Sequence, residues 1–164
     1  MVSTELAQVL SANEYAAARM LFEEYAAALD VDLCFQNFAQ ELVTLEGYYG
    51  PPEGCLLLAR DDGQAIGCVA LRRRGQGVCE MKRLYVKPEY RGLGIGRLLT
   101  GVIIERARAL RYQKMVLDTL QNMLAAKALY ESLGFREIDS YYDNPLQSVR
   151  YLALDLTANA ACDG

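Results

Sequence analysis

The chain has 164 residues, 52% of them apolar, and a net charge of −4 at pH 7. This length supports one domain with its own hydrophobic core and is too short for two comfortable ones. Because the sequence contains no histidine, Ser-His-Asp and Cys-His catalysis are excluded, as is any imidazole-bound metal. The five cysteines are widely spaced without a Cys-x-x-Cys pair, so we expect buried thiols rather than disulfides or a metal site.

The distribution of charged and apolar residues bears on location and partners. No apolar run is long enough to cross a bilayer, and residues 1–10 lack the basic and apolar segments of a secretory signal. We therefore expect a cytoplasmic protein with no membrane partner, and the net negative charge argues against nucleic acid. Acidic residues dominate the segment 1–59, whereas basic residues are in excess over 60–164, which suits a polyanionic ligand held by the second segment.

The first third of the chain predicts two helices. Residues 11–30 are rich in alanine, and Ser11 with Glu14 forms a capping box at the start. Residues 32–46 place apolar side chains at helical spacing. The segment 47–52 is expected to break the second helix, because it carries two glycines and two consecutive prolines.

Three strands in hairpin connection are predicted next. Residues 55–60 and 64–73 flank Asp61-Asp62-Gly63, which is a turn signature. A second glycine turn leads into a strand over 78–86, and Pro88 ends it.

The rest of the chain alternates helices and strands. An amphipathic helix is predicted over 94–110 and a strand over 114–119, whose continuous apolar run indicates parallel pairing. A helix over 123–133 and strands over 135–142 and 148–156 complete the pattern.

This order of elements predicts an α/β fold of the α+β type. One mixed sheet is antiparallel in its early strands, contains a strand–helix–strand crossover over 78–119, and is flanked by about four helices. We expect a single domain over residues 1–157 and a disordered tail over 158–164.

A glycine-rich segment, residues 90–97, lies between a predicted strand and a predicted helix. Its glycines let backbone N–H groups approach an anion closely, and the helix N-terminus adds unpaired donors. Arg91 and Arg97 add positive charge, so a diphosphate is the natural ligand. The spacing excludes a nucleoside-triphosphate P-loop and disfavours a dinucleotide fold, while a turn that binds no ligand remains the alternative.

The residues around this segment carry a family resemblance. The stretch 80–99 resembles motif A of the GNAT N-acetyltransferase superfamily, [QR]-x-x-G-x-[GA], with Arg91, Gly94 and Gly96 in the motif positions. The stretch 122–135 resembles motif B, including the Tyr-x-x-x-Gly-Phe sequence at its end. The resemblance spans at least residues 55–156.

The resemblance implies that acetyl-coenzyme A lies where two parallel strands, 78–86 and 114–119, splay apart. Leu84 and Val86, on either side of Tyr85, would pair through their backbone with the pantetheine arm, since an unpaired strand edge offers alternating donors and acceptors. The residues implied in coenzyme binding are Leu84, Tyr85, Val86, Arg91, Gly92, Leu93, Gly94, Ile95, Gly96, Arg97, Asn122, Ala126, Lys127 and Tyr130. Asn122 has a helix cap as its alternative role, and Lys127 a solvated position on the helix face. No metal is expected.

Tyr130 is the implied catalytic acid. Its phenol would donate a proton to the departing thiolate, and Ala126 one turn earlier leaves room for the thioester. The alternative is that Tyr130 packs beneath its neighbours with its hydroxyl bonded elsewhere.

Glu80 is the candidate general base. The attacking amine must lose a proton, and without histidine a carboxylate is the obvious acceptor. By resemblance, a glutamate at this point of the central strand often serves as the base. A salt bridge to Lys82 or Arg72 is the alternative role.

Two groups of residues are candidates for the acceptor site. The first comprises Tyr48, Tyr49 and Pro51, and the second Tyr141, Tyr142 and Asn144, which together would form an aromatic rim. Arg72 or Arg83 facing the cleft would favour an acceptor with a carboxylate, whereas Glu46 and Glu80 facing it would favour a polyamine, aminoglycoside or peptide amine.

The expected activity is transfer of an acetyl group from acetyl-coenzyme A to the primary amine of a small molecule, by direct attack in a ternary complex. A protein N-terminal or lysine acetyltransferase and a non-catalytic acetyl-coenzyme A sensor are the alternatives. Homodimer formation is left open.

Overall fold

The computed structural model of the chain describes residues 3–29, 33, 37–146 and 148–157. The helices are α1 (Ala12–Leu29), α2 (Phe38–Val43), α3 (Leu45–Tyr49), α4 (Ile95–Ala109) and α5 (Leu124–Ser132). The strands are β1 (Thr4–Gln8), β2 (Cys55–Asp61), β3 (Gln64–Gly75), β4 (Val78–Val86), β5 (Lys114–Leu120), β6 (Arg136–Ile138) and β7 (Val149–Asp155). The predicted tail over 158–164 lies outside the described residues.

The strands form one seven-stranded sheet in the order β1-β2-β3-β4-β5-β7-β6. Neighbouring strands are antiparallel except β4 and β5, which are parallel and joined through α4. The predicted fold class, with a mixed sheet, antiparallel early strands and one crossover, is confirmed.

The sheet is covered on both faces. On one face α1 and α3 pack against the strands, with Phe22 and Tyr49 among the buried side chains. On the other face α4 packs through Leu99 and Ile103. Because both faces are covered, the central strands carry apolar side chains in continuous runs, as in Leu56–Leu58.

The N-terminal part departs from the prediction in two places. Residues Thr4–Gln8 form an edge strand, β1, that the sequence did not predict, because the segment holds only one large apolar residue and gains its order by pairing with β2. The described part of the second predicted helix is divided into α2 and α3 at Thr44. Gly47 lies inside α3, so the expected break falls at Gly50 instead, while residues 32 and 34–36 lie outside the described ones.

The predicted strand over 135–142 is shorter than expected. The strand β6 ends at Ile138, and Tyr141 and Tyr142 leave the sheet. Their hydroxyl groups donate hydrogen bonds to Glu80 and Asp118, respectively, and these bonds replace strand pairing.

In the described part of the chain, no helix combines the length and apolar character needed to span a bilayer.

Candidate active site

The strands β4 and β5 separate partway along their length. They pair at Val78, Cys79 and Glu80 of β4, and Glu80 stands opposite Val116 in the last pair. Beyond that pair β4 continues only with β3 and β5 only with β7. The resulting gap exposes unpaired backbone on both strands, which fits the amide-bearing ligand that the family resemblance implies.

An extra residue in β4 shapes one wall of the gap. Ala70 of β3 stands opposite Lys82, and Cys68 opposite Tyr85, so three steps along β4 match two along β3. Arg83 adopts a left-handed φ of 62° at this bulge.

Two cavities open into the gap and share lining residues. The outer cleft lies between the glycine-rich segment, β4 and the start of α5. The inner cavity is more enclosed and is lined by Tyr130 and by the ends of β4 and β5. Leu84 and Ala126 line both cavities, so the two meet beside these residues.

The glycine-rich segment is built for close backbone approach. Gly92 and Gly94 both have a φ of 82°, and a Cβ atom at either position would meet no protein atom within 4 Å. The N–H of Leu98 donates to the carbonyl of Gly94 at 3.0 Å in the first bonded turn of α4, and the preceding amides of the helix have no acceptor within it. The segment therefore presents free donors toward open space, as a pyrophosphate requires.

Arg91 fixes this segment to β4. Its Nε donates to the carbonyl of Val86 at 2.9 Å, and its guanidinium lies 5.7 Å from the centre of the Tyr85 ring.

Most of the predicted coenzyme-binding residues line the outer cleft. These are Leu84, Tyr85, Val86, Arg91, Gly92, Gly94, Ile95, Gly96, Asn122 and Ala126. Four others lie outside its lining. Leu93 is exposed, Arg97 donates to the hydroxyl of Ser132 at 2.9 Å, Lys127 lies 3.9 Å from Glu137, and Tyr130 lines the inner cavity. The N-cap position of α5 is Met123 rather than Asn122.

Tyr130 lines the inner cavity together with Ala126. Its ring packs 5.7 Å from that of Phe135, and only 6% of the residue is exposed. Burial raises the pKa of its hydroxyl, with the negative charge of Asp118 adding to the effect. The group is therefore protonated at neutral pH and able to donate.

The inner cavity also brings charged groups together. Arg83 donates from Nε and from one terminal nitrogen to the two oxygens of Glu41, both at 2.9 Å, so its charge is already balanced. Burial, assisted by the charge of Arg83, lowers the pKa of Lys82 to about 8. Asp118 lines the cavity from β5.

Glu80 lies behind this cavity and lines neither of the two cavities. Its carboxylate is 1% exposed, accepts a hydrogen bond from Arg72 at 2.9 Å and lies 3.7 Å from Arg74. Tyr141 donates to its other oxygen at 2.7 Å. Burial alone would raise the pKa of Glu80, but the neighbouring cations and the Tyr141 bond lower it overall.

Asp118 and Lys82 are site residues that sequence reasoning did not select. Asp118 accepts a hydrogen bond from Tyr142, whose oxygen accepts one from Asn144 Nδ2 at 2.9 Å. A signal existed, since Asp118 is the only charged residue within the apolar run 115–120 of a strand predicted to be buried. A carboxylate in such a run is costly unless it has a function or a partner.

The predicted acceptor residues are dispersed. Arg83 lines the inner cavity, whereas Tyr48 and Arg72 line a separate surface pocket beside α3. Tyr141 is engaged with Glu80. Tyr49 is fully buried, with its ring 5.9 Å from that of Phe22, so it belongs to the core and not to a rim as expected.

Lys82, Arg83 and Asp118 are the charged side chains that line the inner cavity in the described part of the chain. Arg83 lines it, whereas Glu80 and Glu46 do not, and Glu46 lies in the separate surface pocket. Within the described ranges, no group of three or more Cys, Asp and Glu side chains could hold a metal ion.

The sequence model of the acetyltransferase (GNAT) family matches residues 16–135. The chain belongs to this family. An uncharacterized N-acetyltransferase of Schizosaccharomyces pombe is 48% identical over 141 residues, covering 85% of this chain and 86% of the relative. N-acetylaspartate synthetase of Danio rerio is 37% identical over 108 residues, which cover 65% of this chain but 38% of the relative.

Solved structures share the fold. An acetyltransferase of the GNAT family from Staphylococcus aureus superposes with a TM-score of 0.78 at 20% identity, covering 94% of this chain and 99% of the other. The acetyltransferase yncA of Salmonella typhimurium, determined with acetyl-CoA, has a TM-score of 0.67 at 21% identity, with 96% of each chain covered. The protein is an acyl-CoA-dependent N-acetyltransferase with acetyl-coenzyme A as its acetyl donor.

Proposed function

We propose that this acetyltransferase acts on the primary amine of a small molecule that also carries a carboxylate, such as an amino acid. The observation that carries the proposal is the lining of the inner cavity, where the charged residues beside Tyr130 are the cations Lys82 and Arg83 and the anion Asp118. Opposite charges within a few ångströms attract strongly in such a partly desolvated space, so an acceptor carboxylate is favoured there.

Lys82 is our candidate to meet that carboxylate, because it lines the inner cavity from β4 beside Asp118 and Tyr130. The neighbouring guanidinium of Arg83 shares two hydrogen bonds with Glu41. Burial lowers the pKa of Lys82, and a carboxylate placed beside its ammonium group would offset the cost of that burial. The amide of Asn144 lines the same cavity and can add a hydrogen bond.

Relatives named N-acetylaspartate synthetase support this acceptor class. By that name they form an N-acetylated amino acid, and their similarity to this chain covers about two thirds of it.

The arrangement of the cavities favours direct attack within a ternary complex. The outer cleft and the inner cavity meet beside Ala126, so donor and acceptor can be held together without an enzyme-bound acetyl group. In this proposal Tyr130 donates its hydroxyl proton to the sulfur as the thiolate departs. A free thiol has a pKa of about 8.5, so a single donor provides sufficient stabilisation.

The test is the release of coenzyme A from acetyl-coenzyme A, measured with L-aspartate, L-alanine, spermidine and a tripeptide as acceptors. We expect the amino acids to be acetylated fastest. The Lys82→Met variant should raise the KM for those acceptors about tenfold or more, because it removes a charge-assisted contact worth roughly 1.5–3 kcal/mol. Lys114→Met, which removes an exposed lysine from β5, serves as the matched control and should leave KM unchanged.

Three results would contradict the proposal. Faster turnover of spermidine would indicate a polyamine acceptor, and faster turnover of the tripeptide would indicate a protein acetyltransferase. Tight binding of acetyl-coenzyme A without release of coenzyme A for any acceptor would indicate a sensor.

A further inference from the structure

Two carboxylates on the central strands are candidates to accept the proton that the acceptor nitrogen must lose. Glu80 stands opposite Val116 in the last pair that β4 and β5 form. Asp118 follows Val116 by two residues, so it projects from the same face of β5 but lies beyond the point where the strands separate. Asp118 lines the inner cavity with Tyr130, and Glu80 does not.

The contacts of Glu80 leave it poorly suited to accept a proton. One oxygen accepts from Arg72 at 2.9 Å, the other accepts from Tyr141 at 2.7 Å, and Arg74 lies 3.7 Å away. All of these partners stabilise the ionised form of the carboxylate. Its side chain is 1% exposed and does not line the inner cavity.

Glu80 instead holds the segment that forms the far wall of the inner cavity. Tyr141 is bonded to Glu80, and the next residue, Tyr142, is bonded to Asp118. Asn144 donates to Tyr142 at 2.9 Å and accepts from the N–H of Leu146 at 2.9 Å. Asn144 and Leu146 line the cavity, so the Glu80–Tyr141 bond fixes the position of that wall.

We propose that Asp118 is the catalytic residue that accepts the proton from the acceptor nitrogen, and that Glu80 is a positioning residue that acts through Tyr141. The inference rests on the proposed entry of an acceptor amine into the inner cavity.

The lone pair of the neutral amine forms the C–N bond to the carbonyl carbon of the thioester, and Asp118 accepts one proton from that nitrogen. The C–S bond breaks, and the sulfur leaves with the bonding pair and takes the hydroxyl proton of Tyr130. The proton on Asp118 then passes to the phenolate of Tyr130, directly or through water, which restores both groups.

The test measures the kinetics of three conservative variants. The substrate in each assay is the acceptor from the panel that the wild type acetylates fastest. Asp118→Asn keeps the size of the side chain and should lower kcat by about 10²-fold or more, the usual contribution of a proton-transfer group. Glu80→Gln and Tyr141→Phe should both raise the KM for the acceptor severalfold while kcat changes less than about threefold. Tyr141→Phe keeps the Glu80–Arg72 pair, so it remains informative if Glu80→Gln fails to fold.

Two further readouts do not depend on turnover of an amine. Calorimetric titration of the enzyme–coenzyme A complex with that same acceptor should show weaker binding for Tyr141→Phe and Glu80→Gln. The slow hydrolysis of acetyl-coenzyme A, in which water replaces the amine, should fall in Asp118→Asn alone.

The opposite pattern would overturn the assignment. A loss of kcat in Glu80→Gln with near-normal kcat in Tyr141→Phe and Asp118→Asn would make Glu80 the base. Failure of the proposed acceptor class would be visible separately, in the panel preferences of the wild type.

Discussion

The buried ion pair between Arg83 and Glu41 provides a quantitative test of how the cavity is supported. The two side chains are 3% and 2% exposed, and they share two hydrogen bonds of 2.9 Å. The ring of Phe38 lies 5.1 Å from the guanidinium. Glu41→Gln would remove the negative charge and leave Arg83 buried without compensation. Such a change costs about 3–5 kcal/mol of the free energy of unfolding.

The measurement is urea unfolding followed by circular dichroism, together with thermal unfolding. For a domain of this size the expected loss corresponds to a decrease in Tm of roughly 6–20 °C. Glu53→Gln is the matched control, because it breaks an exposed pair with Arg73, at 3.0 Å, and should cost less than about 1 kcal/mol.

A double-mutant cycle makes the test more specific. The double variant Glu41→Gln/Arg83→Met removes both charges, so it should be less destabilised than the sum of its single variants. If Glu41→Gln lost no more stability than Glu53→Gln, burial of the Arg83 guanidinium would not require the charge of Glu41. That result would favour Arg83 as a ligand of the substrate.

Three further predictions concern the site. Tyr130→Phe should lower turnover by about 10²-fold and leave the Kd for coenzyme A, measured by calorimetry, nearly unchanged; weaker binding with normal turnover would contradict its role as an acid. Gly94→Ala should weaken coenzyme A binding, because a Cβ at a φ of 82° is strained and points into the outer cleft, whereas Gly101→Ala within α4 should not. The pKa of Lys82 is lowered from 10.5 to about 8, so between these values the unfolded chain binds more protons and stability rises with pH. Urea unfolding should show a gain on the order of 1.5 kcal/mol from pH 8 to 9.5, absent in Lys82→Met.

The sequence predicted the parts of the fold whose order is encoded locally. The capping box at the start of α1 is confirmed, with the N–H of Ser11 donating to Glu14 at 2.9 Å and that of Glu14 to Ser11 at 3.2 Å. The parallel pairing of β5 is confirmed as well, since its apolar run reflects burial on both faces. The edge strand β1 could not be predicted, because its order comes from a partner more than 45 residues away in the chain.

The site was predictable where backbone chemistry defines it. The glycine-rich residues are close together in the chain, so their shared position in the lining of the outer cleft follows from the motif. The inner cavity depends on side chains from distant elements, and alternation along β4 fails at the bulge. The sequence therefore did not identify Asp118 as a residue of the cavity. Tyr49 was expected on the rim of the acceptor site, but the packing of α3 places it in the core.

The bulge in β4 links the stability of the domain to its chemistry. With regular alternation Lys82 and Arg83 would project from opposite faces of the sheet, but the extra residue lets both line the inner cavity. A φ of 62° is unfavourable for arginine, because it lies in the left-handed region that glycine and asparagine adopt more readily. The two hydrogen bonds to Glu41 form only while the bulge keeps Arg83 on the α1 face of the sheet. They therefore stabilise the unfavourable backbone conformation of Arg83. The ion pair therefore maintains the backbone geometry that places Lys82 in the lining of the inner cavity.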